Sequence, residues 1–235
     1  MDEGKKPIFR HELKYRISEV EKDILIARIK DILPKDKNAV NGQYLIRSLY
    51  FDDYWKSAYE EKQSGVASRR KYRIRIYDYS DKVIKLECKH KQENYIYKES
   101  ASLTRAETEQ ILNGEYRFLL DREESVCKEF YVACVSEQLR PEVIVDYERI
   151  PFVYDAGTVR ITFDMNVRAG VGSTDLFDVT IPTLEALEQG ELILEVKYTQ
   201  CIPELIRSLL PPESAEKVAA SKYCMCYDRK YDLMR

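Results

Sequence analysis

Eight stretches of this chain alternate apolar and polar residues with period two, the signature of β-strands whose two faces differ. They cover residues 9–17, 44–51, 71–77, 82–91, 95–100, 142–152, 159–167 and 192–198. Short polar turns such as Asp78-Tyr79-Ser80-Asp81 and Gln92-Glu93-Asn94 join consecutive stretches and predict antiparallel neighbours. Helical spacing appears between them. Ser18-Glu19-Val20-Glu21 has the form of a capping box ahead of the stripe Val20, Ile24, Ile26, Ile29 and Leu33, which stops at Pro34. Thr104-Arg105-Ala106-Glu107 opens a short helix closed by Asn113-Gly114. A third helix is expected from about Asp121 to Leu139, with Val126, Phe130, Ala133 and Val135 near its buried side. The last is expected after Pro211-Pro212, carrying Val218, Ala219, Tyr223 and Met225. No internal repeat, linker or shift in composition divides the chain, so one domain over residues 1–235 is expected.

The polar positions of these strands are unusual. Lys71, Arg73 and Arg75 share one face, opposite Tyr72, Ile74 and Ile76. Lys85, Glu87 and Lys89 oppose Leu86 and Cys88, and Arg10, Glu12, Lys14 and Arg16 oppose His11, Leu13, Tyr15 and Ile17. Segments 159–164 and 192–197 repeat the scheme. Any one of these strands could belong to a sheet with a wet outer face. Taken together they are less ordinary. Like charges on strands ~5 Å apart repel by about 3 kcal/mol at an effective dielectric near 20. An α+β fold is therefore expected: a closed antiparallel β-barrel of about eight strands with a charged lumen, wrapped by helices. Such a lumen favours a polyanion, because Arg grips phosphate oxygens bidentately and Lys acts as a point charge.

Composition narrows the field. The chain has 235 residues, with 38 Lys+Arg against 41 Asp+Glu and a net charge of -3, so no basic bulk points to nucleic acid. No apolar run approaches the ~18 residues of a membrane span and the first residues do not form a signal peptide, which makes a cytoplasmic location the expectation. The six cysteines contain no Cys-x-x-Cys pair and only His11 and His90 could assist them, so they read as reduced, mostly core residues. Neither phosphate-loop nor dinucleotide glycine motifs occur among the 8 glycines, and Gly170-Val171-Gly172 reads as a loop. His11 lies on the apolar parity of its strand and reads as packed, as does His90. Cys224-Met225-Cys226 reads as helix core.

The order of motifs is familiar. Glu12-Leu13-Lys14-Tyr15, Tyr50-Phe51-Asp52, Arg73-Ile74-Arg75, Glu87-Cys88-Lys89 and Lys98-Glu99-Ser100 are followed by Arg140-Pro141, Tyr147-Glu148-Arg149, Val159-Arg160-Ile161, Leu194-Glu195-Val196-Lys197 and Ser221-Lys222. In this the chain resembles the catalytic domain of the vacuolar transporter chaperone, a polyphosphate polymerase family within the triphosphate tunnel superfamily. The resemblance implies transfer of the γ-phosphate of ATP to a growing inorganic polyphosphate chain, with Mn²⁺ or Mg²⁺ as cofactor and pyrophosphate or triphosphate as further ligands. It assigns Lys14, Arg73, Arg75, Lys89, Lys98, Arg149, Arg160 and Lys222 to phosphate binding, with Tyr147 and Ser221 beside the phosphates and Lys197 on the same inward face as Glu195. Of these it casts Arg73, Arg75 and Lys222 as catalytic together with Glu195. Glu195 is the implied metal carboxylate, with Glu87 or Glu12 assisting. Glu195 could instead be a structural partner of lumen cations, and Ser221 and Lys222 could simply be exposed.

The superfamily's usual Glu-x-Glu-x-Lys opening is here Arg10-His11-Glu12-Leu13-Lys14, which weakens the case for its hydrolytic members. The inositol-phosphate-sensing domain and membrane helices of the eukaryotic complexes are not in this sequence, so export is expected to need a separate membrane protein. A metal-dependent triphosphatase and a non-catalytic polyphosphate- or nucleotide-binding module remain as alternatives.

Overall fold

The computed structural model describes residues 10–93, 95–211 and 218–232. Phe9, Asn94 and Pro212, each part of an expected element or turn, lie outside the described residues. Among the described residues nine strands form one antiparallel sheet: β1 (His11–Ser18), β2 (Tyr44–Asp52), β3 (Ser68–Tyr77), β4 (Ser80–Gln92), β5 (Tyr95–Leu103), β6 (Arg140–Tyr154), β7 (Val159–Gly170), β8 (Thr183–Glu185) and β9 (Glu191–Tyr198). The helices are α1 (Glu19–Ile29), α2 (Ser57–Gln63), α3 (Arg105–Leu112), α4 (Ser125–Ser136), α5 (Glu204–Leu209) and α6 (Lys222–Asp232). Each of the eight expected strands is present within a few residues of its expected bounds, and both capping boxes form, Ser18 with Glu21 and Thr104 with Glu107. The β3–β4 turn is tighter than expected. Tyr77 pairs with Ser80, leaving only Asp78 and Tyr79, both at positive φ, while Asp78 accepts a hydrogen bond from the Leu45 N–H at 2.8 Å.

The sheet is not a closed barrel, which corrects the expected architecture. Its order is β1-β9-β7-β6-β2-β3-β4-β5, with β8 paired to β7. That leaves β1 and β5 as edges, and among the described residues their backbones pair only at the bridge between Arg10, just before β1, and Ile96. A cylinder closes when strand number, stagger and tilt agree all the way round. Here the ladder stops after one bridge, and a side-chain link spans the gap: Lys89 Nζ on β4 donates to Glu12 Oε2 on β1 at 2.7 Å. The result is an open sheet curled into a trough.

The convex face buries its apolar residues in two clusters. Tyr72, Ile74, Ile76, Leu86 and Cys88 pack beneath α3 and α4 through Ile111, Cys127 and Phe130. Ile161, Phe163, Leu194 and Val196 pack beneath α1 and α5 through Leu25, Ile29 and Ile206. The stripe expected on α1 is rotated, for Val20 is 69% exposed and Ile24 faces water as well. Val135 of α4 is also exposed.

The concave face holds the less expected element. Helix α6 lies against β6 and β7 there, with Tyr223, Cys224 and Cys226 packed on Ile46, Val143, Val145, Val167, Ala169 and Ile193. It starts at Lys222 rather than directly after the prolines, and the Oγ of Ser221 caps it by accepting the Cys224 N–H at 3.4 Å. The helix turns one end of the trough apolar and leaves the other end charged.

Candidate active site

Strand parity places one set of charged residues from β1, β3, β4, β5, β6, β7 and β9 on the concave face beside α6, in three adjoining groups. The first is centred on Glu87 of β4. Arg73 Nε donates to Glu87 at 2.8 Å, Arg75 Nη2 lies at 3.6 Å and Lys98 Nζ at 2.5 Å. Burial pushes the Glu87 carboxyl up, but Arg75, Arg73 and Lys98 outweigh it and hold the group well below the carboxylate range. Arg73 also donates to the Tyr50 hydroxyl at 2.8 Å, which fixes the guanidinium in the trough.

The second group pairs Glu12 of β1 with Glu195 of β9. Lys14 Nζ lies 3.9 Å from Glu12 and 3.6 Å from Glu195. Lys197 Nζ also reaches both carboxylates, with Glu12 Oε1 at 3.4 Å and a closer contact to Glu195. Both carboxyls are buried, which pushes them up, yet these lysines keep them below their ordinary values; for Glu195, Arg149 and Lys222 add to the effect. Glu12 Oε1 is enclosed and accepts no hydrogen bond. Lys89 lies nearby and is reachable by water along the trough, but protein surrounds its ammonium on most sides. That burial brings it down to about 8 despite Glu12.

The third group lies where β6, β7 and α6 meet. Arg149 forks onto Asp164 with Nε–Oδ1 and Nη2–Oδ2 distances of 2.6 and 2.7 Å. Lys222 Nζ reaches the same carboxylate at 2.5 Å and sits 4.8 Å from the centre of the Tyr147 ring. Burial raises the Tyr147 phenol, but Arg149, Arg75 and Lys222 outweigh it and hold the group below its usual value. Lys14 joins this group to the second through a 2.9 Å hydrogen bond to the Ala220 carbonyl.

The structure thus gathers Lys14, Arg73, Arg75, Glu87, Lys89, Lys98, Tyr147, Arg149, Glu195, Lys197, Lys222 and Glu12 around one trough. Two expected residues fit less simply. Arg160 is 37% exposed at the rim, bound to Asp36 at 2.7 Å and to the Tyr44 hydroxyl at 2.8 Å. Ser221 is occupied as a helix cap and accepts from Lys71 Nζ at 3.3 Å. Sequence reasoning missed Asp164 and Lys71 as site residues. Asp164 shares the parity of Arg160 on its strand, so the signal was available. Lys71 shares the parity of Arg73 and Arg75 and lies against Ser221 and Cys224 rather than a carboxylate; burial lowers it to about 8.

Among the described residues, Lys14, Arg73, Arg75, Lys89, Lys98, Arg149, Lys197 and Lys222 therefore pair with Glu12, Glu87, Asp164 and Glu195, two positive charges for each negative one. Arg75 Nε, Thr162 Oγ1 and Ser48 Oγ are buried with no hydrogen-bond partner. Buried groups of this kind are normally satisfied, so the trough has donors to spare for an anion. Its acids also suit a divalent cation in part. Glu12 and Glu195 adjoin, and Glu12 Oε1 is an oxygen without a donor. Glu87, by contrast, is engaged by three cations elsewhere.

The family model described as the VTC domain matches residues 9–231. The fold is similar to that of HpAC1 from Hippeastrum, named as an adenylyl cyclase and described as having a dominant triphosphatase activity. That likeness has a TM-score of 0.58 at 16% identity, over 94% of this chain and 96% of that one. A Bacillus halodurans protein named for adenylate cyclase aligns with 14% identity and a TM-score of 0.49, over 87% of this chain and 95% of that one. Among curated proteins none matches this chain.

Proposed function

The chain belongs to the VTC domain family, and from that premise we propose that it is a polyphosphate polymerase that moves the γ-phosphate of ATP onto the end of an inorganic polyphosphate chain. The observation that supports this reading is the two-to-one excess of cations over carboxylates along a single trough, with buried donors left unpaired beside them. Phosphoryl transfer asks little covalent work of the protein: it needs the donor held, its charge neutralised and the acceptor in line. Arg73, Arg75, Lys98, Arg149 and Lys222 bind the phosphates of donor and acceptor. Lys14 and Lys197 compensate Glu12 and Glu195, the two residues that would hold Mn²⁺ or Mg²⁺. That ion, when bound, supplies Lewis-acid neutralisation of phosphate oxygens. A terminal oxygen of the acceptor chain forms the new P–O bond as the bond to ADP breaks. That oxygen is already anionic, so no side chain need act as a base.

A second reading is hydrolysis of triphosphate, with water as acceptor, and the triphosphatase activity described for the Hippeastrum protein of the same fold favours it. Against it stands the single N-terminal glutamate, Glu12, where the hydrolytic relatives are expected to use two. Incubation with ATP and Mn²⁺ separates the readings. Polyphosphate ladders on a gel with matching ADP support polymerisation, phosphate alone supports hydrolysis, and unreacted ATP that nonetheless binds refutes both in favour of a binding module.

A further inference from the structure

On the other side of the sheet from the trough, three metal-ligating side chains converge from three elements. His90 lies near the end of β4, Glu99 lies on the neighbouring strand β5, and Glu129 comes from α4, which packs over both. One ligand atom from each lies within 4.8 Å of the others. The imidazole is held by its cross-strand neighbour Tyr97, stacked at 4.4 Å with 3° between the ring planes. His90 Nε2 is enclosed and makes no hydrogen bond, although Glu99 Oε2 lies 2.9 Å away. Glu99 is itself steadied by Ser125 Oγ, which donates to Oε1 at 2.9 Å. Among the described residues Glu129 pairs with no cation.

A nitrogen and a carboxylate oxygen so close, but not aligned for a hydrogen bond, are placed as two ligands of one ion would be. With zinc bonds of ~2.0–2.1 Å, tetrahedral ligand atoms lie roughly 3.3 Å apart. Turning the half-exposed Glu129 side chain would close the remaining distance. The Ser125 hydrogen bond is the kind of outer contact that commonly orients a metal-ligating carboxylate, and the packing of Tyr97 holds the imidazole plane.

We propose that His90, Glu99 and Glu129 form a binding site for a divalent transition ion of the zinc class, with a fourth position left to water. One imidazole with two carboxylates suits such an ion better than Mg²⁺ or Ca²⁺, which favour oxygen ligands throughout. The site clips α4 to the β4–β5 edge and is separate from Glu12 and Glu195.

The test is Zn²⁺ titration of the chelator-stripped full chain by calorimetry, alongside melting curves and the Co²⁺ absorption spectrum. The expected result is one Zn²⁺ per chain at this site, retained in Glu195→Gln and weakened at least tenfold in His90→Gln. Zn²⁺ should raise the melting temperature of the wild-type chain and lose that effect in His90→Gln. Glu129→Gln, a change on the helix surface that spares the fold, should weaken binding in the same direction. Equal affinity and stoichiometry in wild type and both variants would overturn the proposal. So would a Co²⁺ spectrum dominated by thiolate charge transfer, which would place the ion on cysteine.

Discussion

Asp164 is the acid that lets two buried cations coexist, and replacing it with asparagine tests how the trough is built. It is fully buried and receives a two-point contact from Arg149 at 2.6 and 2.7 Å and Lys222 at 2.5 Å. At an effective dielectric near 20 each attraction is worth roughly 6 kcal/mol gross, most of which repays the desolvation of the three groups. Asn keeps the shape and one acceptor but removes the charge. Breaking a buried ion pair in this way costs about 3–5 kcal/mol. For a chain of this length the melting temperature should fall by about 10 °C at 2–4 °C per kcal/mol. An added polyanion should restore much of it, because phosphate oxygens take the place of the carboxylate on Arg149 and Lys222. Tripolyphosphate should therefore raise the melting temperature of Asp164→Asn more than that of the wild type, and bind it about tenfold more tightly or better, a difference of ~1.4 kcal/mol. The assay is a melting series in tripolyphosphate with calorimetric affinities for both proteins. An unchanged melting temperature would show that Asp164 does not neutralise the pair. A lower one with weaker tripolyphosphate binding would show that Arg149 and Lys222 do not face the ligand.

Glu195→Gln should leave tripolyphosphate affinity level or higher while ATP turnover with Mn²⁺ falls by about two orders of magnitude, roughly 3 kcal/mol of transition-state stabilisation; unaltered turnover would place the metal elsewhere. Lys71 and Lys89, each lowered by burial to about 8, lose their protons in the folded chain before they do in the unfolded one, whose lysines titrate near 10.4. The unfolded chain therefore binds more protons between about pH 8 and 10.4, and these two groups make stability rise with pH across that window. Tripolyphosphate binding should weaken over the same window and take up protons near pH 8–9, read by calorimetry in buffers of different ionisation heat; no proton uptake would remove both lysines from the anion path.

The sequence alone determined the strands and which residues share a face. The alternation of Lys71, Arg73 and Arg75 with Tyr72, Ile74 and Ile76 is a local property of the chain, and burial of the latter three in the convex core follows from it. Both capping boxes were equally legible, since each closes within four residues. Helix α2 was not, because its N-cap is Lys56 in the left-handed conformation. The N–H groups of Ala58 and Tyr59 are satisfied by Asp52, and that of Ser57 by Asp53, from outside the helix. Strand β8 and helix α5, at three and six residues, are too short for periodicity to register. The side of the sheet that α6 covers is likewise a tertiary matter. Cys224-Met225-Cys226 reads as helix core whichever face receives it. Contacts distant in the chain place it in the trough, among them the pairing of Lys222 with Asp164, 58 positions apart, and the packing of Tyr223 and Cys226 on Val143 and Val167. The open edge has the same origin. Alternation gives each strand its faces but not the stagger summed over the seven pairings from β1 to β5, and that sum decides whether β1 and β5 meet along a ladder or, as here, at one bridge.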